Sequence, residues 1–494
     1  LGAGRARLVR QVLTEGMMLG LIGGGLGLLL ASWGMDLLVR FAARLTPRAD
    51  EIHIDTGVLI FTLVASLATS LLFGLLASIP FSGDLTAALK EGGGQSTAGA
   101  GRHRTRNALI VAQVALSFAL LIGAGLMTRS LMKLQDVDAG FHPDHVLTML
   151  LSLNFTKYDT GPKAIAFHRP LLERAKALPG VRSAAVSMTF PLNSDMGPMQ
   201  GGFLIEGRTI PPGTPKPLAD YRTVSSDYFE TIGTPLLRGR AFTDADGAEA
   251  PEVVIMNQSM ARHYWGNDDP VGRRVSYDLG KTWATIVGVV GDVRQYGLAS
   301  QPTDELYLPL FQNPLNEATL LVRTAGDPAA LAPQIISIIH EVDPQQPVAR
   351  VQTLEHVRSD SLSSPRLTAI LLSLFAVLAL VITTSGISGV VALTVSQRTH
   401  ELGIRMALGA TPGSVLRMVL RQAMAPVLVG LGLGMAGALL LSRLMSGLLY
   451  GVEPADPMTF LAAGVMSLII AAIACLWPAR RATTIPPMVA LRSE

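Results

Sequence analysis

The stretch VSYDLGKT, Val275 to Thr282, ends as a phosphate-binding loop ends, with glycine, lysine and threonine in a row. Such a loop needs another glycine five positions before the second one, and Val275 stands there instead. NFT (Asn154 to Thr156) and NQS (Asn257 to Ser259) match the glycosylation acceptor pattern, a pattern that arises often by chance. The nine histidines show no metal-ligand spacing: His142 and His145 flank Pro143 in a turn, and His263 stands by itself. No Ser/His/Asp set or carboxylate pair can be singled out. The single cysteine, Cys475, cannot form an intrachain disulfide. The expectation is no catalytic residue, no metal and no cofactor: a moving part and not an enzyme.

The elements that would move are legible in the composition. The chain has 494 residues, of which 16% are charged, against about 25% in an ordinary soluble domain, and a mean hydropathy of +0.40. A net charge of +3 and the lack of a basic patch with interleaved aromatics argue against nucleic acid. Six uncharged runs are long enough to cross a bilayer, whose core needs roughly 20 helical residues. They are Gly16 to Met35, Gly57 to Gly83, Asn107 to Thr128, Leu367 to Gln397, Gln422 to Ser442 and Pro457 to Ala479. A signal peptide is the alternative for the first; its apolar run is too long for that.

Lysine and arginine in the short loops set the orientation. Fourteen lie on one side, among them Arg5, Arg7, Arg10, Arg102, Arg104, Arg106, Arg398 and Arg405; the other side has only Arg40, Arg44 and Arg48. The richer side is cytoplasmic, which places residues 134–364 outside the cytoplasm.

The chain also repeats itself. Shifted by 407 residues, Leu1 to Gly27 aligns with Leu408 to Gly434 with twelve identities, including Arg10/Arg417, Gly23/Gly430 and Gly27/Gly434. The following runs each end near a proline, Pro80 or Pro478, and then AALK or VALR. An even number of crossings separates the copies, so they are parallel repeats. Position 1 is leucine, and the repeat leads to the expectation that the front of the first module is missing. Gly16, Gly20 and Gly24, and likewise Gly23 and Gly27, and Gly430 and Gly434, are spaced by four, a spacing that lets helix backbones approach closely.

Between two apolar runs lies SQRTHELGIRMALGATPGSVLRMVLRQ, Ser396 to Gln422. Burying Arg398, Glu401 and Arg405 in hydrocarbon would cost roughly 2.5–3.5 kcal/mol each, so the segment lies in water or at the interface. Leu402, Met406 and Leu408 give it an apolar side. Gly409 ends a short helix, and Thr411-Pro412 supply an N-cap and an N1 proline for the next. A plain interfacial helix with snorkelling arginines is the alternative.

From Leu134 to Ser364 the pattern is soluble α+β. Strand-like runs cover 146–153, 182–190, 252–257, 284–293, 305–311, 318–324 and 347–354, with helical stretches at 163–177, 258–265 and 328–342. The two ends each read β-α-β and build one core, with a β-rich insertion as a second lobe. SLMKLQDV (Ser130 to Val137) and LEHVRSDSL (Leu354 to Leu362) read either as helical stalks or as flexible linkers.

With these residues in view, the chain resembles the MacB/FtsX-type ABC transporter permeases, in particular the duplicated acidobacterial kind. RTHELGIRMALGATPGSVLRMVL (Arg398 to Leu420) and WPARRATTIPPMVALR (Trp477 to Arg492) carry the resemblance in the membrane part. YFETIGTPLLRGRAFTDAD (Tyr228 to Asp246), NQSMARHYWGNDDPVGRRV (Asn257 to Val275) and IVGVVGDV (Ile286 to Val293) carry it outside. The resemblance implies a polytopic α-helical membrane protein of six transmembrane helices with one α+β periplasmic domain, in the bacterial inner membrane. Residues 1–95 would be the end of a first FtsX-like module and 96–133 the first helix of a second. Residues 134–364 would be a MacB-like periplasmic core domain, and 365–494 the FtsX-like permease domain. Residues 398–409 would be a coupling helix, with Arg398, Glu401, Leu402, Gly403, Arg405, Met406 and Gly409 docking on a separate cytoplasmic ATP-binding subunit. Other implied partners are a periplasmic adaptor or an outer-membrane channel. The implied function is efflux of drugs, peptides or lipoproteins by mechanotransmission; the alternative is an FtsX-like scaffold regulating a periplasmic enzyme.

Overall fold

In hydrocarbon every backbone N–H and C=O must be paired within its own segment, so long apolar runs become helices. The structure, a computed structural model, describes residues 5–42, 55–78, 97–193, 197–211, 213–278, 280–398, 404–406, 408 and 410–483. The chain divides into two compact units, residues 1–133 with 363–494, and residues 134–362.

The first unit is helical. It contains α1 (Arg5–Ala42), α2 (Thr56–Ser78), most of α3 (Thr97–Gln135), α9 (Ser363–Gln397), α10 (Pro412–Leu444) and α11 (Pro457–Thr483). Among the described residues five of these are long and apolar enough to cross a membrane, not the six expected. The exception is α2, whose searched apolar part, Thr56–Leu71, is shorter. Exposed Leu19, Leu30, Phe61, Val381 and Leu440 are lipid-facing side chains, for which no aqueous penalty applies. Inside, α3 is the central packing helix. Its Phe118, Ile122 and Leu126 meet Ala438 of α10 and Phe460 and Ala463 of α11. Its Ile110 and Val114 join Ile387 and Val391 of α9, Val427 of α10 and Ala474 of α11.

The two sequence copies are both helical: α1 covers the first from Arg5, where the described residues begin, and α10 covers the second from Pro412. Each then packs on the next helix, α1 on α2 and α10 on α11. AALK and VALR, residues 87–90 and 489–492, lie outside the described residues.

The second unit is one twelve-stranded sheet in the order β12-β1-β11-β2-β5-β10-β7-β9-β8-β4, with β3 paired to β5 and β6 to β9. The strands are β1 (Val146–Ser152), β2 (Val181–Ser187), β3 (Gln200–Gly202), β4 (Leu204–Ile205), β5 (Leu218–Val224), β6 (Leu236–Gly239), β7 (Val253–Asn257), β8 (Arg274–Ser276), β9 (Ala284–Val290), β10 (Glu305–Pro309), β11 (Glu317–Thr324) and β12 (Val348–Thr353). The helices are α4 (Gly161–Ala177), α5 (Tyr228–Ile232), α6 (Gln258–Trp265), α7 (Pro328–Val342) and α8 (Leu354–Ser361).

The two β-α-β ends interleave. Strands β1 and β2 flank β11, while β11 and β12 flank β1, all antiparallel to their neighbours. This split β-α-β arrangement puts α4 and α7 over a core of Leu147, Met149, Phe167, Leu171, Val186, Leu320 and Ile339. A second core lies around Phe203, Val254, Met256, Met260, Trp265, Ile286 and Leu306. The β-rich insertion has its own core and continues the same sheet, joined where Ser187 of β2 pairs with Val224 of β5.

Candidate functional site

Between α9 and α10 the chain makes a short helical turn. Ile404, Arg405 and Met406 are helical, Leu408 N–H donates to Ile404 O at 2.9 Å, and Ala410 N–H donates to Arg405 O at 2.9 Å. That last bond is the six-to-one bond of a helix end. Thr411 then caps α10, its side chain accepting from Ser414 N–H, with Pro412 in the first turn. Both features follow from the Thr-Pro pair. Glu401, Leu402, Gly403 and Gly409 lie outside the described residues.

The apolar residues of this segment do not share one side, as the sequence reading had them. Met406 packs against the core of Val415, Val427 and Val391, whereas Leu408 is 82% exposed and Ile404 40%. Arg405, exposed beside them, reaches Met418 Sδ at 3.0 Å. Arg398 donates to Gln422 Oε1 at 3.1 Å. One side chain anchors the segment and its neighbours present an apolar, cationic face.

Five of the spaced glycines, Gly16, Gly20, Gly24, Gly430 and Gly434, stand opposite another helix. A Cβ on Gly430 would lie 2.8 Å from Val114 Cβ, and one on Gly434 2.9 Å from Ala115 O, both on α3. On α1, a Cβ at Gly24 would meet Ser66 Oγ at 2.6 Å, one at Gly20 would overlap Ser70 Oγ, and one at Gly16 would lie 3.5 Å from Ser70 O, all on α2. Gly23 and Gly27, the repeat equivalents of Gly430 and Gly434, face open space.

At the opposite end of the bundle, α3 is tied to the α10–α11 loop. Arg129 is ion-paired with Asp456, Lys133 donates to Gly451 O, and Ser130 Oγ accepts from Tyr450 N–H at 2.8 Å. In the second unit, Arg358 of α8 donates to Gln135 O at 2.9 Å, joining the two segments that enter and leave that unit. The first is helical through Gln135 and the second is helical over 354–361.

The sheet unit contains polar structure that sequence reasoning missed. Arg222 of β5 and Glu305 of β10 are buried on neighbouring strands, their Nε and Oε1 atoms 3.4 Å apart. Glu305 also accepts from Tyr307 Oη and, at 3.3 Å, from Gln295 Nε2. Burial pushes the Glu305 carboxyl up, and Arg222 opposes that. Asp220 accepts from Tyr296 Oη at 2.8 Å and Thr303 Oγ1 at 2.6 Å. A buried network of this kind fixes strand pairing and needs no catalytic role.

The other chemistry weighed from sequence is used locally. Asn257 is buried and caps α6 through Met260 N–H at 3.1 Å, so its NQS triplet is not an exposed acceptor. Ser259 donates through N–H and Oγ to Asp292 at 2.7 and 2.8 Å, which ties two stretches that carry the resemblance. Within a third, Arg240 forks onto Asp246 at 2.7 and 2.8 Å, and this pairing holds the Asp246 carboxyl low. In the VSYDLGKT turn the N–H groups of Lys281 and Thr282 donate to Asp278 at 3.1 and 3.0 Å. They are aimed at a carboxylate of the chain itself, an arrangement unlike a phosphate cradle. Among the described residues no three His, Cys, Asp or Glu side chains group as a metal site.

Comparison with known proteins places these units. Residues 108–352 match the family described as MacB-like periplasmic core domain, and residues 373–487 match FtsX-like permease C-terminal. The macrolide export ATP-binding/permease protein MacB of Chromobacterium violaceum is 29% identical over 280 residues, 55% of this chain and 43% of that protein. This chain thus spans less than half the length of that relative. The uncharacterized ABC transporter permease YknZ of Bacillus subtilis is 25% identical over 283 residues, 55% of this chain and 69% of that one. The crystal structure of the periplasmic region of MacB from Actinobacillus actinomycetemcomitans aligns over 45% of this chain and 94% of its own, at 14% identity and a TM-score of 0.31.

Proposed function

The chain belongs to the MacB-like, FtsX-like family of ABC transporter permeases, a multi-pass inner-membrane protein with a periplasmic core domain, and from that premise we propose that it is the transmembrane part of an export or mechanotransmission system. A separate cytoplasmic ATP-binding subunit supplies the work. Its docking surface is residues 398–409, and the observation that carries this is the exposed face of Ile404, Arg405 and Leu408 beside the anchored Met406. An apolar patch with a cation at its centre offers a partner subunit both apolar and charged contacts.

Hydrolysis on the partner then displaces α9 and α10, which carry this segment between them, and the periplasmic domain responds. The helical course of the entering segment to Gln135 and of the leaving segment over 354–361 supports the helical reading of both segments over flexible linkers. In this reading α2 is a sixth crossing, which keeps the two sequence repeats parallel. Substrates are drugs, peptides or lipoproteins taken from the periplasm, with an adaptor or outer-membrane channel as further partners. Macrolide export, the activity named for the Chromobacterium relative, falls within that class.

The test is the double substitution Glu401→Lys with Arg405→Glu in the full chain, reconstituted with the ATP-binding subunit. Permease-dependent stimulation of ATP hydrolysis should disappear while membrane insertion stays normal. Unchanged stimulation would remove the docking assignment.

A further inference from the structure

A cavity of about 260 Å³ opens between α3, α9 and α10 at their cytoplasmic ends. Its floor is apolar, formed by residues such as Ile110, Val391 and Pro426. Its polar lining includes Arg106, Thr394, Arg398 and Gln422. Arg106 donates to Thr394 Oγ1 at 3.0 Å, and Arg398 to Gln422 Oε1 at 3.1 Å. Thr394 and Gln422 thus help to orient the two guanidinium groups, and both arginines are half-buried. Among the described residues none of those lining it is acidic.

We infer that this cavity binds the phosphate headgroup of an anionic phospholipid of the cytoplasmic leaflet. Three observations converge on that class. Two guanidinium groups, one on α3 and one in the turn after α9, suit the several oxygens of a phosphodiester, which accepts paired N–H donors. The apolar floor suits the glycerol and first methylenes of a lipid and would be wasted on a free anion. The position, at the cytoplasmic ends of membrane helices, is where anionic headgroups lie and where basic clefts between helices bind them. The cavity holds a headgroup and not a whole lipid, so the acyl chains lie along the exposed apolar surfaces of the helices. The site shares Arg398 with the docking segment proposed for residues 398–409, and its readout, lipid retention in the absence of any ATP-binding subunit, does not depend on that reading.

The experiment is native mass spectrometry of the full chain in detergent, titrated with phosphatidylglycerol, phosphatidylcholine or inorganic phosphate. Phosphatidylglycerol should be retained in preference to phosphatidylcholine. Arg106→Gln and Arg398→Gln should each weaken that retention roughly fivefold, while Arg417→Gln, which removes an exposed charge on α10 outside the cavity, should leave it unchanged. A photoactivatable phosphatidylglycerol on the unsubstituted protein tests the same point without a variant, and should label peptides containing Arg106 or Arg398. Equal retention of the two lipids would overturn the inference, as would displacement of the lipid by millimolar phosphate, undiminished retention in both arginine variants, or labelling confined to other peptides.

Discussion

Arg129 of α3 and Asp456, the residue before α11, are ion-paired through Nη1 and Oδ2. The same Asp456 oxygen accepts from Thr459 N–H at 2.9 Å and Thr459 Oγ1 at 2.5 Å. One carboxylate therefore caps α11 and ties its loop to α3. An arginine by itself at the end of an apolar run would snorkel to the interface. In the folded bundle its charge has a fixed partner.

Asp456→Ala should lower the unfolding free energy of the membrane unit by about 1–2 kcal/mol, mostly through the lost cap, since a half-exposed ion pair contributes less than about 1 kcal/mol. Thermal unfolding of the purified chain in detergent measures it. Asp456→Asn, which keeps a capping oxygen, should lose less than half as much; an equal loss would assign the stabilisation to the ion pair instead.

Close approach of α10 to α3 should make glycine substitution depend sharply on position. At Gly434 an added Cβ meets Ala115 O at 2.9 Å and Ala115 Cα at 3.0 Å, backbone atoms that cannot swing aside. Gly434→Ala should destabilise by about 1–3 kcal/mol, the usual range for overpacking. Gly432→Ala, two residues away with nothing within 4 Å, should be neutral or stabilising by a few tenths up to about 1 kcal/mol. Equal melting temperatures for the two variants would mean that the helices do not meet here.

His168 of α4 should make the periplasmic unit acid-sensitive. It is fully buried, Nε2 donates to Leu315 O at 2.8 Å, and Nδ1 has no partner among the described atoms. Burial lowers its pKa from 6.5 to about 4. The unfolded chain takes up a proton first, so this stability is fully present above pH 6.5 and is lost as pH falls toward 4. The loss is at most on the order of 3 kcal/mol. His168→Gln, which keeps the donor, should flatten the slope between those two pH values in chemical unfolding of the full chain. A slope that persists would place the titrating group elsewhere.

Much of the periplasmic fold was readable because its signals are local. Strands β1, β7, β9, β10 and β11 are runs of apolar residues bounded by turn formers, and α6 and α7 fall on the helical stretches read at 258–265 and 328–342. Strand β5 was not readable. Its sequence, LADYRTV, places Asp220 and Arg222 where an observer expects a solvent face, yet both are buried. Their partners Tyr296, Thr303 and Glu305 come some eighty residues later. The pairing of β2 with β5 that unites the sheet rests on Ser187 opposite Val224, and no local pattern announces it.

By itself the sequence determined where the apolar helices run, which side of the membrane they face and that they occur in two related copies. Those properties add up residue by residue from hydropathy and from arginine and lysine placement, so no knowledge of distant contacts is needed. Only the tertiary structure decided which side of residues 404–408 is left uncovered, which glycines meet a neighbouring helix and which charges are buried. The free energy of burying a charge depends on whether a partner is supplied from another part of the chain. For Arg222 that partner is Glu305, and only folding brings the two side by side.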